Sequence, residues 1–127
     1  MADSSLDHAR NTVIAFLEGV ARGDVDDAFA RHASDDFRHH NPWFAQDRES
    51  LREAMKTSAT AEPGKRFKVQ QAIAEGDRVM VFSRLTRPQG QVHAVVHIAR
   101  MSEGRIAEMW DIGQEVPADS PNVLGMF

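Results

Sequence analysis

The sequence predicts an α+β fold in which N-terminal helices pack on one face of a strongly curved, mostly antiparallel sheet. Three observations predict it. Apolar residues of the first half recur at helical spacing. The period changes from 3.6 to 2 after the break at Ala61-Glu62-Pro63-Gly64. From there to Gln114, strand-length segments alternate with short turns that each contain a glycine. Helices first and a meander afterwards give a layered α+β architecture, and a curved sheet closing over its helices leaves a pocket suited to a small apolar molecule.

Each element has its own signature. Over residues 6–22, Leu6, Val13, Leu17 and Val20 form a helical stripe widened by Ala9, Ile14 and Ala21. Ser4 with Asp7 resembles a capping box, and Gly23 suits the position after the helix. Asp24 is placed to cap a short second helix to about Ala33, burying Val25, Ala28 and Phe29. Residues 35–44 read as a loop or short strand. Asp47 caps a third helix over residues 48–58 with Leu51, Ala54 and Met55 inward. Strands follow over residues 66–74, 78–87, 91–101 and 105–114. In the first of these, Phe67, Val69 and Gln71 share a face. In the third, Val95, His97, Ala99 and Met101 oppose Val96, Ile98 and Arg100. In the last, Ile106, Glu108, Trp110, Ile112 and Gln114 oppose Ala107, Met109 and Asp111. Residues 115–127 read as irregular, but Val123 to Phe127 are apolar and are expected to pack over the pocket mouth or across a partner copy.

Composition narrows the function. A chain of 127 residues suits one domain, 1–127, large enough for a core without staples. The net charge of −4 and the scattered lysines and arginines argue against nucleic acid. No cysteine is present, which removes thiolate chemistry and Cys-based zinc. Met1-Ala2-Asp3-Ser4-Ser5 carries no signal-peptide pattern, and no apolar run reaches about 18 residues, so a cytoplasmic protein without membrane contact is expected. No Gly-rich phosphate loop, GxSxG elbow or helical His-Glu-x-x-His occurs, and no cofactor is expected.

Three blocks of sequence carry a family likeness. They are His40-Asn41-Pro42 after Phe37, then Glu75-Gly76-Asp77-Arg78-Val79, then Ile98-Ala99-Arg100 through Gly104-Arg105-Ile106 to Trp110-Asp111-Ile112-Gly113-Gln114. With Asn122 and Met126-Phe127 at the end, the chain resembles the SnoaL-like family of the NTF2-like superfamily, in the branch described as predicted aldol-condensation-catalysing enzymes. The resemblance implies a cone-shaped barrel with a pocket between sheet and helices, and a homodimer packed sheet to sheet. It also implies acid/base chemistry. In the family's polyketide cyclases an aspartate acts at the position that is His97 here, so an imidazole of ordinary pKa ~6.5 replaces a carboxyl near ~3.9.

The candidate residues follow. His97 is placed to act as a general base beside a carbonyl, or to be a core histidine with one hydrogen bond. His40, Asn41 and Trp110 are the candidates to orient substrate and to donate to an enolate oxygen. His40 is held extended before Asn41-Pro42 and is expected to reach the pocket, leaving its neighbour His39 exposed. The alternative for Asn41 is a turn in which it bonds its own backbone. Trp43 and Phe44 either line the mouth or cap the core. Trp110 and Gln114 share a face that could form a ligand wall, and core packing is an equal reading for Trp110. His93 shares the face of His97 but stands about 13 Å away by strand rise, too far for one metal. No metal site is expected. Asp111 is assigned to a surface ion pair with Arg100 or Arg84. With no tyrosine, the ketosteroid-isomerase oxyanion hole cannot be transferred. The function expected is a cofactor-free lyase, cyclase or isomerase acting on a small apolar carbonyl compound. The alternative is a non-catalytic ligand-binding dimer or scaffold.

Overall fold

The structure, a computed structural model, describes residues 3–127, so Met1 and Ala2 lie outside it. The chain runs α1 (Asp3–Ala21), α2 (Val25–His32), β1 (Ala33–His40), α3 (Arg48–Ala61), β2 (Arg66–Glu75), β3 (Arg78–Thr86), β4 (Val92–Ser102) and β5 (Arg105–Glu115). The five strands form one sheet in the order β1-β5-β4-β3-β2. Only the β1–β5 pair is parallel. The sheet keeps two free edges, β1 and β2, so the expected cone is an open curl.

The core lies between the helices and one sheet face. Phe16 of α1, Phe29 of α2 and Phe37 of β1 make three ring contacts with centroids 5.0 to 6.1 Å apart, two of them edge-on. Val13, Leu17, Val79, Val81, Ala99, Ile106 and Met109 complete it. Gly19 sits mid-helix for a packing reason. A Cβ there would stand 3.2 Å from the Ala28 Cβ, so the absent side chain is what lets α2 come close. Arg48 fixes the other side, donating to the carbonyls of Phe29 (3.0 Å) and Ser34 (3.1 Å) where α2 passes into β1.

Helix ends follow their capping chemistry in part. Asp47 caps α3, its carboxylate accepting from the Ser50 amide at 2.9 Å. Asp24 stands at the α2 N-cap without a side-chain cap, because its carboxylate takes Arg22 instead at 2.8 Å. Ser4 lies inside α1, and Asp7 pairs with Arg10.

Two of the sheet's three register shifts decide which side chains of β2 and β5 face the helices. One falls between Val69 and Gln71 of β2. Phe67 and Val69 face the core, but beyond the shift Ala72 and Ala74 do so and Gln71 is exposed, against the expectation from simple alternation. The other falls opposite Arg100 and Met101. Met101 pairs with Ile106 but Arg100 pairs with Glu108, so Ala107 is the extra residue in β5. Ile106, Met109 and Asp111 therefore share the inner face, while Glu108 and Trp110 face outward. The grouping of Ile106 with Glu108 and Trp110 does not hold.

Candidate active site

Between the sheet and α1 and α3 lies a cavity of about 910 Å³. Its walls are mainly apolar, with Phe16, Leu17, Met55, Phe67, Val95 and Met109 among them. Trp43 and Phe44 border it at the open end, where Trp43 is 83 % exposed.

His97 projects from β4 into this cavity, and the residue opposite it is set by the bulge. A two-residue turn pairing Ser102 with Arg105 would, continued regularly, place Trp110 across from His97. The extra Ala107 places Asp111 there instead. His97 Nε2 stands 3.5 Å from Asp111 Oδ1. The other oxygen, Oδ2, accepts from Asn41 Nδ2 at 2.7 Å. Burial pushes the His97 pKa down, with Asp111 partly opposing, so the imidazole is neutral at pH 7. Its Nδ1 is buried without a hydrogen-bond partner among the described residues. Protonating Nδ1 would strand a donor, whereas protonating Nε2 directs the proton at a carboxylate. The Nε2–H tautomer is therefore favoured.

Asn41 is itself held firmly. Its Oδ1 accepts from the Trp43 amide at 3.0 Å, the turn expected from Asn-Pro. Its backbone N–H donates to His39 Nδ1 at 3.0 Å, and the His39 ring bridges on to the Ala45 carbonyl at 2.6 Å through Nε2. Both arms of the 41–45 turn are thus tied to one buried imidazole.

This reverses the expectation for the histidine pair. Phe37 is buried, so alternation along β1 puts His39 inward, 4 % exposed, and His40 outward. His40 borders the cavity only at the edge of the strand. Its ring stacks on Trp110 (4.8 Å, 4°) and bonds Glu108 at 2.6 Å on the outer sheet face. Glu108 also meets Arg100 (3.1 Å) and Arg38 (3.4 Å). Hydrogen bonding by His40 first, then by Arg100, holds its carboxyl down to about 2 despite burial. Trp110 and Gln114 do not line the cavity, and His40, at its border, is engaged by Glu108. Arg100 is committed to Glu108, and Arg84 lies over the Phe127 ring at 4.3 Å, so Asp111 has neither of its expected partners. It belongs to the site. Reading alternation back from Phe37 gives His39. Asp111 needs the bulge, which no residue type announces.

A second polar group borders the cavity on the side of His93. Arg87 donates to Glu62 (2.7 and 2.9 Å) and through Nε to His93 Nε2 (3.2 Å). Lys65 Nζ donates to Ser58 Oγ at 2.6 Å. Among the described residues no group of three or more His, Asp or Glu side chains is arranged to hold a metal ion, and no helix is long and apolar enough to cross a membrane.

Helices over one face of a curled mixed sheet, with a cavity between, define an NTF2-like protein. Residues 13–109 match the SnoaL-like domain, and the chain belongs to that family. Solved structures agree on the fold. An NTF2-like protein of unknown function from Burkholderia xenovorans LB400 superposes with a TM-score of 0.74 at 19 % identity, covering 91 % of this chain and 88 % of its own. IdmH from Streptomyces antibioticus, described as a candidate polyketide cyclase, gives 0.70 at 19 % identity over 83 % and 91 %. A candidate isomerase of the SnoaL-like family from Agrobacterium tumefaciens C58 gives 0.70 at 16 % identity over 84 % and 97 %. No curated protein matches the chain.

Proposed function

We propose that this protein is a small-molecule enzyme that removes a proton next to the carbonyl of an apolar substrate, as aldol-type condensation, cyclisation or isomerisation requires. The observation that carries this is the Asn41–Asp111–His97 array on the wall of a mainly apolar cavity. The roles differ from those expected from sequence. Asp111 takes the proton from carbon, the C–H electron pair becomes the enolate double bond, and the Nε2–H of His97 donates to the enolate oxygen. Asn41 orients the carboxylate. Two fold neighbours are described as a candidate cyclase and a candidate isomerase, and both descriptions fall within this class.

The test is proton exchange, which needs no knowledge of the product. A panel of aryl and alicyclic ketones is incubated with the protein in D₂O, and deuterium next to the carbonyl is followed by NMR. At least one ketone should exchange faster with the protein than in buffer. Asp111→Asn should reduce that rate by about 10²–10⁴-fold, the range of a general base. His40→Ala should leave it unchanged. Exchange that survives Asp111→Asn overturns the assignment. Binding without exchange points to a carrier, the reading that the apolar walls also suit.

We further propose a homodimer formed through the outer sheet face. There Ile73, Met80, Ile98 and Trp110 stand in one row across four strands, with Ile73 and Met80 about half exposed.

A further inference from the structure

The Lys65 end of the cavity has chemistry that proton abstraction does not use. Lys65 lies between α3 and β2 and is only partly exposed. Its ammonium donates to the Ser58 hydroxyl, and no carboxylate of the described residues comes within 4 Å of it. Glu62 is nearby but is taken by Arg87, both of whose contacts run to one Arg87 nitrogen. Arg87 is thus neutralised and Lys65 is not. Burial pushes the Lys65 pKa down, and the charge of Glu62, shared with Arg87, opposes this only in part. A partly desolvated, uncompensated cation facing a cavity is costly unless a ligand supplies the missing charge.

The position of this cation is as informative as its charge. Arg87 contacts His93, and His93 shares a strand face with His97 four residues on, a separation of about 13 Å. The cation therefore lies toward the His93 end of the cavity, and the Asp111–His97 pair toward the end bordered by Asn41 and Trp43. We infer that the substrate is amphipathic, with an apolar carbonyl-bearing body reaching Asp111 and a carboxylate tail held by Lys65 and the Ser58 hydroxyl. One unpaired positive charge matches a monoanion better than a phosphate dianion. The inference rests on the proposed function in taking the cavity as the substrate site.

The experiment uses a matched pair of probes, ω-benzoylpentanoate and its methyl ester, which share the aryl ketone and differ in the charge of the tail. Calorimetry measures binding to the protein and to Lys65→Met and Lys65→Arg. The acid should bind roughly tenfold tighter than the ester, as one charge-assisted contact allows. Lys65→Met should bring the acid to the affinity of the ester, and Lys65→Arg should keep most of the advantage. The advantage should shrink as salt rises. Equal binding of acid and ester overturns the anchor and leaves the proton-abstraction reading standing. Loss of both probes in Lys65→Met also overturns it, since that marks a structural lysine. Failure of the acid to bind the unaltered protein overturns the anchor, and ketone exchange measured separately then decides whether the function reading falls with it.

Discussion

At the scale of single residues, two buried groups with perturbed titration lie on opposite faces of the sheet and set separate acid limits. His97 is held neutral by burial, so its folded pKa lies below the unfolded value near 6.5. The unfolded chain binds the extra proton first, so the contribution of His97 to stability is complete above pH 6.5 and is lost as pH falls toward the folded pKa. Glu108 is depressed from 4.5 to about 2, so its contribution is complete above about 4.5 and is lost between there and 2. Denaturant unfolding across this range should show two acid limbs. Glu108→Gln should flatten the lower limb and leave the upper one in place. A lower limb unchanged in that variant would mean that the His40, Arg100 and Arg38 contacts contribute nothing to the fold. How legible these residues were depended on their neighbours. His97 was readable because β4 alternates without interruption. Asp111 was not, because its inward direction comes from a residue two turns of the pleat away. His40 was read inward because Pro42 fixes an extended backbone without saying which way the alternation runs, and only the burial of Phe37 settles that.

At the scale of elements, helix spans, the Asp47 cap and the hairpin turns were legible, since each depends on residues within a few positions. The bulges were not, since an extra residue shows itself only against a partner strand. The β4–β5 hairpin offers a direct test of local backbone chemistry. Glu103 and Gly104 both hold positive φ (53° and 80°), the geometry of a two-residue hairpin turn that favours Asn-Gly. Glu103 is the one non-glycine with positive φ among the described residues. Glu103→Asn should raise the thermal midpoint, with a gain of about 0.5–1 kcal/mol, and Gly104→Ala should lower it by about 1–2 kcal/mol. Equal effects of the two changes would show that the turn relaxes to another type. The stake is more than stability, because this turn sets the register that the Ala107 bulge then shifts to bring Asp111 opposite His97.

At the scale of the whole molecule, the sheet separates two surfaces with different tasks. The inner one carries the cavity, and the outer one carries the apolar row and the Glu108 cluster. The C-terminus belongs to the outer surface. Phe127 stacks on Phe82 (5.6 Å, 22°) beneath Arg84, so of the two expected places for the tail, the pocket mouth and a partner copy, the first does not hold. Val123 and Leu124 remain 97 % and 82 % exposed on the same tail. If the proposed dimer forms on this surface, light scattering should give twice the chain mass, and Met80→Glu should halve it without unfolding the protein. A monomeric mass for the unaltered chain would exclude the dimer.

The placement of the two tryptophans has an optical consequence. Trp43 stands in water at the cavity mouth, while Trp110 lies against His40 and under Arg78 on the far side of the sheet. With no tyrosine in the chain, these two indoles are the only strong ultraviolet emitters it has. Trp110→Phe would leave a single fluorophore at the entrance, whose emission should move to the blue as a ligand displaces water around it. Trp43→Phe would leave one that reports the opposite surface and should stay silent to the same ligand. The protein thus carries its own pair of dyes, one for each side of the sheet.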